Sequence, residues 1–544
     1  MTRYEKIGLI LVAVLAITVL ALIPDNPVSR EQMGQPSPVD WDQVVDDQAQ
    51  PVALVWQGII AHVSGQDGSW IQRNLETRFN LELQPLFFDL IGYQRRRPLL
   101  LSGGEIPDIM WDGDPLGVRQ NLRNGFIMEL PYELILKHAP TYVKFLNRYG
   151  REAWLYAHHN GRNYGLPTFF GISDRPRIGA WRMDWLRQVG IDRVPETIAE
   201  MHEALYRFRH NDPNGDGRQN TYGWNPQIGH WSLMFAEIFA AYDVLAFDLM
   251  EQDGQVVWGG ILPEAQEALR TLNQWYREGL IDPDFILDAQ GGAQDRKFIN
   301  GRVGYHYPVD NPEYYDPDGT SSLFSRLLAF QPDASMVPGP PLRNAEGVRR
   351  GRTWGGAGHV LQFGKHLEQQ PAKVIRILEM METIARDEEL YMQARYGKRD
   401  QHWSFSLEGG ITLLEPYLSD IRLARAELLP GSAFFFPSAI SEYEDAYLKP
   451  DHHQWLELNR NQKWGVMNVL GKSDVVPSAG RYLADLRNFQ LTAYAEMVVG
   501  TRDIEAFDAF VADWRRRGGD VLLEEANAMQ QTMQEILQRV GGEQ

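Results

Sequence analysis

Val52-Ala53-Leu54-Val55-Trp56 is followed, past a loop with Gly65, Asp67 and Gly68, by Ser69 and then by Ile71, Leu75 and Phe79. Leu81 to Phe87 and Ile109-Met110-Trp111 continue the series. The first run is a short apolar stretch of the kind that forms a buried strand. Ser69 suits a helix N-cap, and the apolar residues after it recur every fourth position on one helical face. Residues 81–87 alternate as a second strand does, a helix covers about 90–102, and 109–111 make a third strand. Strand and helix thus alternate, which predicts a parallel sheet covered by helices. In such sheets ligands bind beyond the carboxyl ends of the strands, where Trp56 and Trp111-Asp112-Gly113-Asp114 stand.

A second series begins after Gly165-Leu166-Pro167. Pro195 opens a helix carrying Ile198, Met201, Leu205 and Phe208, and Pro263 opens another with Ala265, Leu269, Leu272 and Tyr276 on its face and Gly279 as its stop. Val374, Ile377, Leu378, Met381 and Ile384 mark a third, and about 503–538 reads as mostly helical. The 544 residues fit two lobes of ordinary size. A net charge of -19 repels polyanions and argues against nucleic acid as a partner. The run Arg95-Arg96-Arg97 reads as a solvated helix face, with a local anion contact as the other possibility.

Residues 1–23 do a different job. Arg3 and Lys6 precede an unbroken apolar run, Ile7 to Ile23, which reads as a signal peptide or a retained N-terminal membrane anchor. Either way the bulk lies outside the cytoplasm. Residues 24–51, rich in Pro, Asp and Gln, read as a flexible linker. The chain has no cysteine, so neither disulfides nor a lipid-bearing cysteine are available to it.

Ser102-Gly103-Gly104-Glu105-Ile106-Pro107-Asp108-Ile109, Gly125 to Leu130, Trp181 to Leu186, Tyr276 to Pro283 and Gly301-Arg302-Val303-Gly304 occur in an order and spacing that resemble an extracellular solute-binding protein of carbohydrate ABC importers. The likeness runs from about 53 to 540 and is to the long subgroup with alginate-binding and LplA-type members. It implies a type II periplasmic-binding-protein fold: two α/β lobes, each a mainly parallel sheet flanked by helices, closing by a hinge over a sugar. Lobe one would take 53–166 and 353–400, and lobe two 167–352 and 401–544. It also implies delivery to ABC permease subunits and a monomeric protein that meets the membrane only through its N-terminal segment.

Asp212-Pro213-Asn214-Gly215-Asp216-Gly217-Arg218-Gln219-Asn220 places oxygen donors at every second position. Calcium takes six to eight oxygens on a curved loop, and Asp212, Asn214, Asp216, the Arg218 carbonyl and Asn220 would supply part of that shell. The twelfth position is Gly223, which lacks a carboxylate, so another group must complete it. A surface turn of Asx residues without metal is the competing reading. The resemblance favours a structural Ca2+.

A sugar ring offers an apolar C–H face to aromatics and a rim of hydroxyls to polar groups. The chain has 16 Trp, 22 Tyr and 23 Phe, several in loops rather than on amphipathic faces. The candidates are Trp111, Trp224, Trp231, Tyr305, Tyr307, Trp354 and Trp403, with Gln66, Asp67, Asp112, Asp114 and His359 for the rim. Gly355-Gly356 beside Trp354 would let a ligand approach the backbone. Each aromatic could instead be core, the preferred reading for Trp181, Trp185 and Trp275, and the two Asp could cap a helix. Pairs such as Asp112/Asp114 or Asp243/Asp248 could serve a glycan hydrolase or lyase. Such pairs are commonplace among 72 acidic residues, and no nucleophile, zincin or P-loop motif accompanies them. A binding protein feeding a membrane sensor is the other alternative.

Overall fold

The computed structural model describes residues 38–59, 68–88, 90–170, 176–288, 292–309, 312–317, 322–407, 409–429, 440–447 and 464–541. The signal or anchor segment and the candidates Gln66 and Asp67 lie outside them. No helix among the described residues is long and apolar enough to cross a membrane. The chain divides into two compact units. One holds Pro27–Asp174, Gly355–Leu456 and Ala528–Gln544, and the other holds Arg175–Trp354 and Glu457–Asn527.

The first unit is built on a five-stranded sheet. Val52–Ile59 lies between Leu81–Phe88 and Ile109–Asp112 and is parallel to both. Ala357–Phe363 then pairs antiparallel with Ile109–Asp112 and with Leu166–Phe169. The sheet is therefore mixed. Ser69 caps the Trp70–Phe79 helix by accepting from the Gln72 amide, and Ile71 and Leu75 are buried. The Pro371–Arg386 helix buries Val374, Ile377, Leu378, Met381 and Ile384, as their spacing predicts.

Three stretches differ from the sequence reading in where they pack. Residues 167–174, 401–456 and 528–544, assigned there to the second lobe, belong to this unit. Trp403 Nε1 donates to the Gly397 carbonyl at 3.0 Å, and Asn147 Nδ2 to the Val540 carbonyl at 3.0 Å. Such ties run through single residues of helices and loops and leave no periodic trace. The linker differs too. Residues 38–51 form turns and bends, but Asp46 holds the guanidinium of Arg376, which is 2% exposed and also donates to the Phe79 carbonyl at 2.9 Å. A buried arginine needs a carboxylate, and this part of the linker supplies it.

In the second unit a four-stranded sheet runs in the order Met336–Gly339, Ile178–Arg182, Val303–Val309, Tyr222–Trp224. The first two pairings are antiparallel and the third is parallel. The Ile198–His210 helix is capped by Thr197, which accepts from the Glu200 amide. Pro195 lies two residues before that cap, so the side-chain oxygen and not the proline starts the helix. Leu205 meets the sheet so closely that a Cβ on Gly223 would lie 2.6 Å from its own. Pro263–Arg277 is a helix with Ala265, Leu269, Leu272 and Trp275 buried. Trp181 and Trp185 are core as well.

Candidate functional site

In the first unit the strand ending in Trp111-Asp112 meets the strand carrying His359. The Trp111 ring is edge-on to His359 at 4.7 Å and to Tyr93 at 5.0 Å, and His359 meets Phe170 at 4.9 Å. Trp111 is 9% exposed, so this row is largely covered. Asp112 is buried and engaged: Arg97 Nη2 donates to it at 3.2 Å and the Asp114 amide at 3.1 Å. Burial, and then the charge of Asp112, pushes the Tyr93 hydroxyl well above its ordinary pKa. Asp114 is the N-cap of the Pro115–Arg123 helix, accepting from the Leu116 amide. Of the basic run, Arg95 and Arg96 are exposed, while Arg97 turns inward to Asp112.

Four aromatic candidates are placed in the interior of their units. Trp224 and Tyr305 are fully buried and Tyr307 is 2% exposed, because both faces of the Val303–Val309 strand are covered. The Tyr305 hydroxyl donates to the buried carboxyl of Glu237, which burial pushes up to about 8. Trp403, in the first unit, is 3% exposed behind Phe405 and Tyr447, on the wall of a concavity of about 1000 Å³ lined by Arg78, Arg386, Lys398 and Arg399. Trp224, Tyr305 and Tyr307 are sealed in this way and have no face free for a sugar, whereas Trp403 borders that concavity. Gly356 is also accounted for by packing, since a Cβ there would lie 1.5 Å from the Tyr149 carbonyl oxygen.

Trp231 and Trp354 are different. Both lie in the second unit, 6.4 Å apart at 80°, and Trp354 is 38% exposed. Trp231 begins a 3-10 turn whose cap is His230. Trp354 follows the short strand Gly351–Arg352, held in parallel to Gly465–Val466. Three arginines surround the pair. Arg487 approaches the Trp231 ring to 3.7 Å, and Arg352 and Arg177 lie over Trp354 at 4.3 Å and 5.2 Å. Arg352 Nε donates to Asp248 at 2.8 Å, and Arg487 faces Asp474 at 3.5 Å. The local field is positive: burial first, then the charges of Arg352, Arg177 and Arg487, pull His230 down to about 4, against Asp248. This is an aromatic corner with one partly exposed indole and a cationic rim.

The Asp212–Asn220 loop has its side chains turned inward on one another. Asp212, with a left-handed φ of 49°, accepts from the amides of Asp216 at 3.2 Å and Gly217 at 2.8 Å. Asp216 accepts from the Arg218 amide at 2.9 Å and from Asn220 Nδ2 at 2.7 Å, and Asn220 Oδ1 meets Asn214 Nδ2 at 3.4 Å. The Asn220 amide holds the Asp216 carboxyl below its usual range. Among the described residues no group of three or more His, Cys, Asp or Glu is placed to hold a metal, and this loop has only two carboxylates. Carboxylate and amide oxygens are donors that a hard cation such as Ca2+ takes and a soft one does not.

No protein-family model matches the chain. Lipoprotein LipO of Bacillus subtilis is 24% identical over 493 residues, covering 87% of this chain and 91% of that one. The polygalacturonan/rhamnogalacturonan-binding protein YtcQ of the same organism is 22% identical over 485 residues, 87% and 90% of the two chains. Homologues of this chain are sugar-binding proteins of ABC importers. Solved structures share the fold of such solute-binding proteins. Streptococcus pneumoniae FusA in complex with kestose superposes with a TM-score of 0.65 at 16% identity, over 89% of this chain and 99% of that one. The alginate-binding protein AlgQ2, in a form described as without calcium ion, gives 0.63 at 17%, over 89% and 98%.

Within this solute-binding fold the sequence reading named Trp231 and Trp354 as candidates and did not name the arginines around them. Arg487 lies on the Ala479–Val499 helix, at helical spacing from buried Leu483 and Tyr494, but its charge disguises the position. The one usable signal is Arg352-Thr353-Trp354, where a cation and an indole stand two apart in an extended segment and so project to the same side.

Proposed function

We propose that the protein is an extracytoplasmic carbohydrate-binding protein that captures an oligosaccharide and delivers it to the permease subunits of an ABC importer, making and breaking no bond. The Trp231–Trp354 corner carries this reading. An indole with an open face stacks on the C–H face of a sugar, and the polar groups around it take the hydroxyl rim. Engagement of Asp112 with Arg97 and of Asp248 with Arg352 supports the non-catalytic reading, because neither carboxylate is poised as a free acid or base. Binding proteins among the relatives support it too. Closure by a hinge on the bound sugar, a monomeric state and membrane attachment through residues 1–23 are carried over from the resemblance.

Structural calcium belongs to the same proposal. Asp212, Asn214, Asp216, the Arg218 carbonyl and Asn220 would hold it, with further oxygens from elsewhere, and it would neutralise the loop and fix its curvature. An EF-hand mutant of FusA among the similar structures supports looking for it here. A thermal-shift screen against an oligosaccharide library, with and without calcium, tests the proposal. A saturable rise in Tm with at least one oligosaccharide is expected, and no rise with any would remove it.

A further inference from the structure

We infer that the first unit carries a membrane contact: the concavity walled by Arg386, Lys398 and Arg399, with Phe405 and Leu407 on the hairpin beside it, takes the phosphate headgroups of anionic lipids. This rests on the reading above that residues 1–23 attach the chain to a membrane, and adds the face that meets it.

The cations come first. The concavity, about 1000 Å³, lies within the first unit, and no strand of the five-stranded sheet lines it. Its three carboxylates are occupied locally. Asp387 caps the Glu388–Tyr396 helix and faces Arg78 at 3.7 Å, Glu388 accepts from the Tyr447 hydroxyl at 2.9 Å, and Glu389 accepts from Gln393 at 3.1 Å. Arg386, Lys398 and Arg399 are exposed, and among the described residues none of the three has a side-chain hydrogen bond or a carboxylate within ion-pair distance. Their charge is therefore open to an outside anion.

Apolar side chains stand beside them. Trp403–Phe405 and Ile411–Leu413 form an antiparallel hairpin. Phe405 stacks on Tyr447 at 5.4 Å and is 38% exposed, Arg399 lies over its ring at 4.8 Å, and Leu407 is fully exposed. Apolar groups held out in water cost free energy. Next to unpaired cations they match a lipid interface, where rings sit at headgroup level and cations meet phosphate. A small inorganic anion would use the cations and leave the hairpin idle.

The N-terminal segment joins the fold at the same helix. Arg376, in the Pro371–Arg386 helix, holds Asp46 through two nitrogens, one at 2.8 Å, and Gln48 donates to Glu379 of that helix at 2.8 Å. Residues 38–51 are thus fastened to the helix that ends in Arg386, and ten residues of α-helix put Arg376 and Arg386 about 15 Å apart along its axis. Between the apolar run and residue 38 the chain has 14 residues, a reach of at most about 50 Å. That reach brings the first unit to the surface and leaves its orientation to the face that binds. The net charge of -19 keeps most faces off an anionic bilayer, which selects one with free cations.

The test uses the full chain reconstituted through its N-terminal segment into lipid discs. The chain has no cysteine, so Gln401→Cys, between the lining residues Arg399 and Trp403, and Gln255→Cys, exposed in the second unit, each carry a single fluorophore. The discs are of phosphatidylcholine alone or of equal parts phosphatidylcholine and phosphatidylglycerol, with a headgroup quencher in both. The expected result is quenching at Gln401→Cys that is at least about fivefold stronger in the mixed discs, falls as salt rises, and has no counterpart at Gln255→Cys. Arg386→Gln, Lys398→Gln and Arg399→Gln should each lower the docked-to-free ratio about fivefold, the scale of one cation at an anionic surface. Equal quenching in the two lipids, or its loss in Arg95→Gln/Arg96→Gln but not in these variants, overturns the inference and leaves the attachment reading standing. So does release of the label by inorganic phosphate at constant ionic strength, which would assign the cations to a free anion. A chain that enters neither disc removes the attachment reading and this inference with it. Should a variant not fold, the comparison of lipids on the chain with unaltered cations still decides.

Discussion

The guanidinium carbon of Arg487 lies 3.7 Å from the centroid of the Trp231 ring, although the two residues are 256 positions apart in the chain. The contact joins the Ala479–Val499 helix to the turn that presents the indole. It fixes one wall of the corner before any ligand arrives, and a cation over an indole face is worth about 2 kcal/mol or more when desolvated. Trp354, by contrast, has Arg352 and Arg177 over its ring and is still more than a third exposed. One tryptophan is thus braced and the other is available.

That difference separates two variants. Trp354→Ala should weaken oligosaccharide binding by about 1–3 kcal/mol, the scale of a buried aromatic contact, with little change in Tm. Trp231→Ala should weaken binding and also lower Tm, because it strips Arg487 of its partner. Titration calorimetry and thermal melts on both variants check this, and unchanged affinity in both would take the pair out of the site.

Calcium should raise Tm and a chelator should lower it, if the loop oxygens hold the ion. Asp212→Ala removes the side chain that accepts from two backbone amides and also offers charge to the cation. Its melting curve should be indifferent to calcium and chelator alike. A full calcium response in Asp212→Ala would place the ion elsewhere.

Much of the fold is legible in the chain because local rules and packing agree there. Ser69 caps, Ile71 and Leu75 recur at helical spacing, and both are buried. Pro263 starts its helix at the first turn, where its missing N–H costs nothing. The site is less legible. Tyr305 and Tyr307 stand within the Val303–Val309 strand, which is covered on both faces, so its alternation carries no direction. Buried arginines are hidden for a different reason. Arg376 and Arg487 put a charge on the buried side of their helices, and their acidic partners, Asp46 and Asp474, come from other elements.

Gly356 offers a test of the first unit's packing. The Tyr149 carbonyl occupies the space a Cβ would need, and Gly150 faces the Gly356 carbonyl in the same manner. Both contacts are backbone, so neither can turn aside as a side chain would. Gly356→Ala should therefore cost about 3 kcal/mol or more. Gly104→Ala should cost only about 1 kcal/mol, since its φ is +86° and nothing lies within 4 Å of an added Cβ. Urea unfolding of the two variants checks the contrast, and similar midpoints would contradict the close approach.

Glu237 gives the protein a pH dependence of a particular sign. Burial raises its carboxyl to about 8 from the ordinary 4.5, and the Tyr305 hydroxyl pulls the other way. Between those values the folded chain holds a proton that the unfolded chain releases. Stability therefore falls as pH rises through this window, by at most about 1.4 kcal/mol per pH unit. His158, His230 and His306, each pulled down to about 4, act oppositely and lose stability as pH falls below 6.5. They are common to both proteins when Glu237→Gln is compared with the unaltered chain. Gln keeps an oxygen to accept from Tyr305 and carries no titrating proton. The advantage of Glu237→Gln in unfolding free energy should grow from pH 5 to pH 8 and then level off. A difference that is flat or shrinks over that range would mean that the carboxyl does not hold its proton in the folded protein.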